Sequence, residues 1–157
     1  MKLTGTKMAK SEVNLWRSVM HEDFPNGTVI GDAPAPGVLT PDFVPRMLPS
    51  GNTRKADVHQ FRGADGDDWI TNEGGTSLFD RDAVFPPKKW NTFMIPKGTV
   101  VPDSIYLKDD GWRERFNATH YLILPVAKTM RSDSYRGALE NLARNAVVRS
   151  IELASSN

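Results

Sequence analysis

The chain has 157 residues, a formal net charge of +1, 39% hydrophobic residues and 25% charged residues, and these values are typical of one soluble globular domain. The net charge is too small to draw the protein to nucleic acid or to a membrane through a global field. The lack of cysteine and the scattering of His21, His59 and His120 exclude a disulfide framework, a thiol nucleophile and a structural zinc site, and we predict no metal.

Residues 1–8 carry positive charge, but no apolar run follows them, so the sequence predicts neither a secretory signal nor a membrane anchor. The longest strongly apolar run, residues 121–127, is far shorter than the roughly 20 residues that span a bilayer. We therefore expect a protein that is cytoplasmic in the cell that makes it and that does not insert into membranes.

The first predicted element is a half-buried strand over residues 13–20, where polar and apolar side chains alternate. Arg17 shares one face of this strand with apolar residues: Val13, Leu15 and Val19. A guanidinium presents five donors in a planar fork that suits a diphosphate. A structural salt bridge is an equally good interpretation of Arg17 taken alone.

Residues 24–56 form a proline-rich segment. Six of the eleven prolines lie between Phe24 and Pro49, and each removes a backbone donor, so this stretch is not predicted to form a helix of any length. Its apolar residues predict a wrapping loop, ordered or partly mobile, rather than a simple linker: Val38, Leu39, Phe43, Val44, Met47 and Leu48.

Residues 57–82 are acidic, with seven carboxylates against Arg62 and Arg81. Asp65-Gly-Asp-Asp68 is interpreted as a turn, because it lacks the loop pattern and the terminal glutamate of a calcium site.

Two adjacent glycines precede two small hydroxyl residues within residues 72–81, in the order Gly74, Gly75, Thr76, Ser77. Glycines allow close backbone approach to a ligand, so this stretch is a candidate ligand-cradling edge. On the motif alone, a Gly-Gly turn that leads into an ordinary strand is the favoured interpretation. The pattern matches neither a phosphate loop nor a dinucleotide fingerprint, and it lacks the Gly-x-Ser-x-Gly of serine hydrolases.

Four strands are predicted in the second half of the chain, at residues 76–79, 91–95, 104–108 and 120–126. A helix is predicted over residues 134–153, with Ser132, Asp133 or Ser134 as its N-cap. His120 and Tyr121 stand at the entrance of the last strand, where a buried structural histidine and an acid–base group are both open interpretations. Several strands and few helices favour an α+β fold.

Three motifs of this sequence look like the three strand motifs of the ADP-ribosyltransferase toxin superfamily, and they occur in the same order: Leu15-Trp-Arg17, Gly74-Gly-Thr-Ser-Leu-Phe-Asp-Arg81 and Ala118-Thr-His-Tyr-Leu-Ile-Leu-Pro125. Further colinear matches narrow the resemblance to one cytotoxin family, the second exported effector of bacterial type VI secretion: residues 95–99, 101–103, 115–121 and 141–146. The resemblance is strong from about residue 74 to residue 149 and poor through the proline-rich segment.

The resemblance implies an α+β fold in one toxin domain over residues 1–157, with a split mixed or antiparallel β-sheet core, few helices and a long C-terminal helix. It implies NAD as the cofactor, and delivery by the secretion apparatus, without a signal peptide, to the cytoplasm of a target cell. It also implies a cognate immunity protein that covers the active-site cleft, and the acidic residues 57–82 are expected to face a basic patch on that partner.

Residue roles follow from the resemblance motif by motif. The residues expected to bind the cofactor are Arg17, Gly74, Gly75, Thr76, Ser77 and Phe79. The residues expected to take part in catalysis are Thr76, Ser77, His120 and Tyr121. Among these, Arg17 would contact the phosphates or ribose of NAD, and Thr76 and Ser77 would support the nicotinamide ribose.

The sequence departs from the superfamily at the third motif, where many transferases carry a glutamate that stabilises the transition state as nicotinamide leaves. Residues 119–121 contain no carboxylate, and the nearest acidic residues along the motifs are Glu114, Glu73 and Asp80. Transfer of ADP-ribose to an unidentified macromolecule, simple NAD hydrolysis, and a non-enzymatic toxin that binds and blocks a host protein therefore all stay open.

Overall fold

The computed structural model describes residues 9–156, so the prediction that residues 1–8 form no leader lies outside this range. The elements, in chain order, are β1 (Leu15–Met20), β2 (Val29–Ile30), β3 (Ala33–Pro34), β4 (Arg46–Met47), β5 (Thr53–Arg54), β6 (Gln60–Arg62), β7 (Asp68–Thr71), β8 (Thr76–Phe79), β9 (Trp90–Ile95), β10 (Ile105–Arg113), a 3-10 turn (Glu114–Phe116), β11 (Ala118–Pro125), β12 (Thr129–Arg131) and α1 (Ser132–Ser155).

Five strands form the main sheet, which is antiparallel and has the order β10-β11-β8-β1-β9. The five strands predicted from the sequence are these five, and β10 continues to Arg113, beyond its predicted end at Lys108. β8 lies between β11 and β1 and is hydrogen-bonded on both sides. The predicted ligand-cradling edge at residues 72–81 stays a prediction, because β8 pairs with β11 along its whole length but shares only one residue pair with β1 on its other side.

The sheet splits between β1 and β8. β1 pairs with β9 along its whole length, and β8 pairs with β11 along its whole length. Between β1 and β8, in contrast, the register contains one residue pair, Trp16 with Phe79. The expected α+β fold with a split sheet core is confirmed, and the split decides where the candidate site lies.

Helix α1 packs its apolar face into the core, as its periodicity predicts. Four residues of the predicted face are buried: Tyr135, Leu139, Leu142 and Ala146. The predicted side-chain N-cap is wrong, because the cap position is Arg131 and no side chain bonds the first turn. The Ser132 hydroxyl instead donates to Oε1 of Gln60 at 2.9 Å, which ties the helix start to β6.

The proline-rich segment contains only short strands and no helix, as predicted. Val38, Leu39 and Phe43 are buried in the core, so this part of the segment wraps the sheet. Val44 and Met47, which were expected to help anchor it, are 62% and 75% exposed.

Strands β6 and β7 of the acidic segment form a second sheet together with β12, in the order β12-β7-β6, and the sequence does not predict this sheet. The predicted turn at Asp65-Gly-Asp-Asp68 is confirmed, since it joins β6 to the first residue of β7. Asp65 Oδ1 accepts hydrogen bonds from the backbone N–H of Asp67 and the indole N–H of Trp69, and these bonds hold the pKa of Asp65 below its ordinary value.

No helix within residues 9–156 combines the length and apolar character needed to cross a membrane.

Candidate active site

A cavity of about 1030 Å³ opens where β1 and β8 diverge. β1, β8, β11 and the wrapping segment all contribute to its walls. Four of the residues predicted from the sequence line it: Arg17, Ser77, Phe79 and His120. Four others do not: Gly74, Gly75, Thr76 and Tyr121.

Arg17 spans the split in the sheet. Its Nη1 donates to the Ser77 carbonyl at 3.5 Å and its Nη2 to the Thr40 carbonyl at 3.4 Å, which are long contacts for a charged donor. Its Nε is buried and has no hydrogen-bond partner within residues 9–156. Burial lowers the pKa of Arg17, and the nearby carboxylates of Asp57 and Asp42 oppose that effect. No carboxylate of the described residues forms an ion pair with Arg17, so its donors are incompletely used.

Thr76 and Ser77 have different surroundings, although they are adjacent. Thr76 is fully buried, and its hydroxyl donates to the Leu39 carbonyl at 2.7 Å. Since Thr40 supplies a carbonyl to Arg17, Thr76 holds the piece of wrapping loop that contacts Arg17. Ser77 lines the cavity, and its hydroxyl makes no hydrogen bond within the described chain.

Gly74 and Gly75 allow the protein's own backbone to approach closely. A Cβ on Gly74 would lie 2.2 Å from the Asp57 carbonyl oxygen, and one on Gly75 would lie 2.0 Å from the Ile123 carbonyl oxygen. The two glycines do allow a close backbone approach, as the sequence indicates, but the groups that approach them are carbonyls of this chain and not a ligand. Both glycines lie outside the cavity lining.

Aromatic rings form one wall of the cavity. Phe79 lies 5.1 Å from the His120 ring and 6.3 Å from Phe85, measured between centroids, and Phe85 stacks on Trp90 at 4.7 Å. Phe116 backs this wall through edge contacts to Phe79 and Phe85. Such a wall suits a planar ring of a ligand.

His120 and Tyr121 lie on opposite faces of β11, as adjacent residues of a strand do. His120 lines the main cavity, and its Nδ1 lies 2.9 Å from Oδ2 of Asp110. Tyr121 instead lines a separate cavity of about 290 Å³, together with Leu15 and Tyr106. Burial raises the pKa of Tyr121, which favours its neutral form.

The cavity lining is positively charged on balance, with four arginines and two aspartates: Arg17, Arg46, Arg54, Arg115, Asp23 and Asp42. Arg46 forms an ion pair with Asp23 at 3.1 Å, and Arg54 forms one with Asp57 at 3.4 Å. Arg115 forms no ion pair among the described residues and stacks on Phe116 at 5.1 Å. This imbalance favours an anionic ligand.

One carboxylate in the lining has no partner. Asp42 lines the cavity, and its side chain takes part in no hydrogen bond or ion pair within residues 9–156. The three acidic residues noted in the sequence, Glu114, Glu73 and Asp80, do not line the cavity. Asp80 Oδ1 accepts the Thr119 backbone N–H at 2.8 Å and so joins the ends of β8 and β11.

Residues 7–151 match the family model of the Tse2 ADP-ribosyltransferase toxin. The chain is also 32% identical over 154 residues to Toxin Tse2 of Pseudomonas aeruginosa, and the match covers 92% of this chain and 94% of that toxin. The chain belongs to the Tse2 ADP-ribosyltransferase toxin family. Every residue of the cavity lining falls within the range that matches the Tse2 family model.

Membership of the Tse2 family makes the chain a cytotoxic, ADP-ribosyltransferase-like effector, which confirms the function class that the three motifs predicted. The family implies NAD as co-substrate and a cognate immunity partner.

The sequence does not identify several of the residues that line the cavity of this Tse2-family protein. Arg46 and Arg54 lie in the proline-rich segment, which has no periodicity to show which side chains turn inward. Phe85 and Trp90 flank the Pro86-Pro87 loop, and their spacing matches no regular element. The sequence pattern that could indicate these residues is the concentration of arginine and aromatic residues near prolines, because prolines make the loops around a site rigid.

Proposed function

We propose that the cavity binds NAD and that the chain transfers ADP-ribose from NAD to an acceptor in the cytoplasm of a target cell. The observation that carries this proposal is Arg17, a largely buried guanidinium with an unpartnered Nε and two long contacts to carbonyls. A buried cation without a paired anion is costly, and a diphosphate would supply the missing acceptors.

The other lining residues fit the rest of NAD. The wall formed by Phe79, Phe85 and Trp90 offers flat apolar surfaces for a nicotinamide or adenine ring. The cavity volume of about 1030 Å³ is at the upper end of the range for ligand sites. Ser77 contributes a free hydroxyl for a ribose, and Arg17 binds the diphosphate between the two halves.

The proposal separates the roles of Thr76 and Ser77. Ser77→Ala should lower kcat/KM for nicotinamide release by about tenfold or more while Tm stays unchanged, because Ser77 lines the cavity and its hydroxyl makes no hydrogen bond within residues 9–156. Thr76→Val should lower Tm by about 3–8 °C, because the Leu39 carbonyl loses its buried donor. Enzyme kinetics and thermal unfolding of the two variants measure both effects.

Thr76→Ser is the matched control, since it keeps the hydroxyl bond to Leu39 and should retain both activity and stability. Full activity of Ser77→Ala would remove Ser77 from the proposed site.

Asp42 is the carboxylate best placed to substitute for the missing glutamate of the third motif. As the bond between nicotinamide and ribose breaks, positive charge develops on the sugar, and a fixed carboxylate stabilises it. Asp42 lines the cavity without an ion-pair partner, and its backbone N–H donates to Asp57 Oδ2 at 2.7 Å, which anchors this position.

Asp42→Asn should therefore lower kcat for nicotinamide release by about 100-fold while leaving the Kd for NAD unchanged or smaller, because a negative charge near the diphosphate is lost. Steady-state kinetics and calorimetric titration with NAD measure the two quantities. Asp68→Asn is a suitable control, since Asp68 pairs with Arg62 on β6 and lies outside the cavity. An unchanged kcat in Asp42→Asn would contradict this role.

NAD hydrolysis is the second candidate, and the absence of a carboxylate at residues 119–121 favours it. Labelled NAD distinguishes the two reactions: label attached to a macromolecule in a bacterial extract supports transfer, and free ADP-ribose with nicotinamide supports hydrolysis. If wild type neither binds nor consumes NAD and Ser77→Ala stays toxic, a toxin that blocks a host protein replaces both.

We also propose that the immunity protein covers the mouth of this cavity. The exposed side chains of Val44 and Met47 flank Arg46, which lines the cavity, and so offer apolar contacts at its rim. The acidic segment contributes less than the sequence suggested, because four of its carboxylates are already paired: Asp57, Asp65, Asp67 and Asp68.

A further inference from the structure

A β-bulge places Asp110 beside His120. The pairing of β10 with β11 shifts register between Asp109 and Trp112. Gly111 adopts φ +96° there, a conformation that glycine reaches without strain, and its N–H donates to Asp109 Oδ1 at 2.9 Å. Bulges of this kind redirect a side chain out of the regular alternation of a strand.

The redirected carboxylate holds one nitrogen of the imidazole. Asp110 Oδ2 lies 2.9 Å from Nδ1 of His120 and accepts a hydrogen bond from Arg113 Nη2 at 2.8 Å. Arg113 Nη2 is also 3.5 Å from Nδ1, but a guanidinium has no acceptor. Of these two neighbours, the Asp110 carboxylate is the one that can accept a hydrogen bond from Nδ1. The ring proton therefore lies on Nδ1, and the lone pair lies on Nε2.

The remaining nitrogen is available to a ligand. The His120 side chain is 15% exposed, packs on Phe79 and lines the cavity that also contains Arg17 and Ser77. Its Nε2 has no hydrogen-bond partner within residues 9–156. The histidine is thus held at Nδ1 by a carboxylate, while its Nε2 has no partner among the described residues, which is the arrangement of an oriented general base.

We propose that Asp110 is a positioning residue that holds His120 as a general base, and that the acceptor of ADP-ribose is therefore a protic group, with water the simplest example. This inference rests on the proposed function. It restricts the chemical class of the acceptor, because a carboxylate acceptor has no proton to lose and needs no base.

The reaction balances with these groups. The bond between the nicotinamide nitrogen and the ribose C1′ breaks, and nicotinamide leaves as a neutral molecule with the bonding electron pair. A new bond forms between C1′ and the acceptor heteroatom. The proton of the acceptor moves to Nε2 of His120 and then to solvent, while Asp110 stabilises the imidazolium.

The test uses the full chain with NAD in a bacterial cytoplasmic extract, which supplies water and macromolecular acceptors. Asp110→Asn should lower kcat for nicotinamide release by about 100-fold or more, while the Kd for NAD stays within about twofold. Asp109→Asn is the matched control, because it keeps an acceptor for Gly111 in the same bulge and does not contact His120. It should behave as wild type.

Two further readouts separate positioning from a structural role. Nitrogen-15 spectra of the His120 ring should show the proton on Nδ1 in wild type and a changed tautomer population in Asp110→Asn. His120→Ala should regain nicotinamide release when imidazole is added.

Failure of this inference is distinguishable from failure of the proposed function. If wild type binds NAD and releases nicotinamide but Asp110→Asn matches it, or if the ring proton lies on Nε2, the positioning role is wrong. If wild type does not bind NAD, the proposed function is wrong, and with it the assignment of a base.

Discussion

Replacing Arg17 with methionine should raise the Kd for NAD by about 100-fold or more, equivalent to about 2.7 kcal/mol, and should abolish toxicity. Arg17 is the largely buried cation at the split of the sheet, and its Nε has no partner in the described chain. Its loss removes charge-assisted bonds to the diphosphate. The free protein should be as stable as wild type or more so, because an incompletely paired buried charge is removed.

Calorimetric titration with NAD, thermal unfolding and induced expression in a bacterial cytoplasm measure these effects together. Arg62→Met is the matched control, since Arg62 is 70% exposed, pairs with Asp68 and lies outside the cavity. Arg17→Lys should give an intermediate loss, because lysine keeps the charge but not the planar fork. Unchanged NAD binding by Arg17→Met would refute the site as a whole.

Gly75→Ala should fail to fold or should lose several kcal/mol of stability. The new Cβ would lie 2.0 Å from the Ile123 carbonyl oxygen and 2.9 Å from the Tyr135 hydroxyl. That hydroxyl donates to Ile123 at 2.6 Å and accepts the Thr76 N–H at 3.2 Å, so moving it disrupts bonds between β8, β11 and α1. The expected measurement is a steep fall in soluble yield or in the urea midpoint.

The same substitution at Gly137 is expected to have the opposite effect and to raise the stability of the protein. Gly137 lies within α1, and a Cβ there would meet nothing within 4 Å. Alanine should add about 0.5–1 kcal/mol of stability, because glycine is a poor helix former. A well-folded Gly75→Ala protein that has lost NAD binding alone would mean that Gly75 acts on the ligand and not on packing.

The sequence predicts well where burial imposes a simple period on the chain. β1, β8, β9, β11 and α1 each combine a repeating apolar face with neighbouring turn residues, and the structure contains all of them. The sequence does not predict the second sheet of β6, β7 and β12, because its strands are short and β6 and β7 lie among acidic residues. Neither feature gives the alternation of apolar and polar residues that indicates a strand.

The candidate site was predictable only where a residue belongs to a motif on a strand. Arg17, Ser77 and His120 line the cavity, and each lies in one of the three motifs. Thr76 and Gly75 share the second motif but contact other parts of this chain, a distinction that depends on the direction in which each residue faces. Asp42 and Asp110 depend on a loop and a bulge, and neither leaves a periodic signal.

The split of the sheet has a consequence for the order in which the molecule is made. Trp16 and Phe79 are neighbours in the sheet although a long stretch of chain separates them, and contacts of this separation form slowly. His120 completes the cavity wall, and Tyr135 secures β8 to β11 from the helix. A growing chain on the ribosome therefore has no complete cavity until β11 and the first turns of α1 have been made.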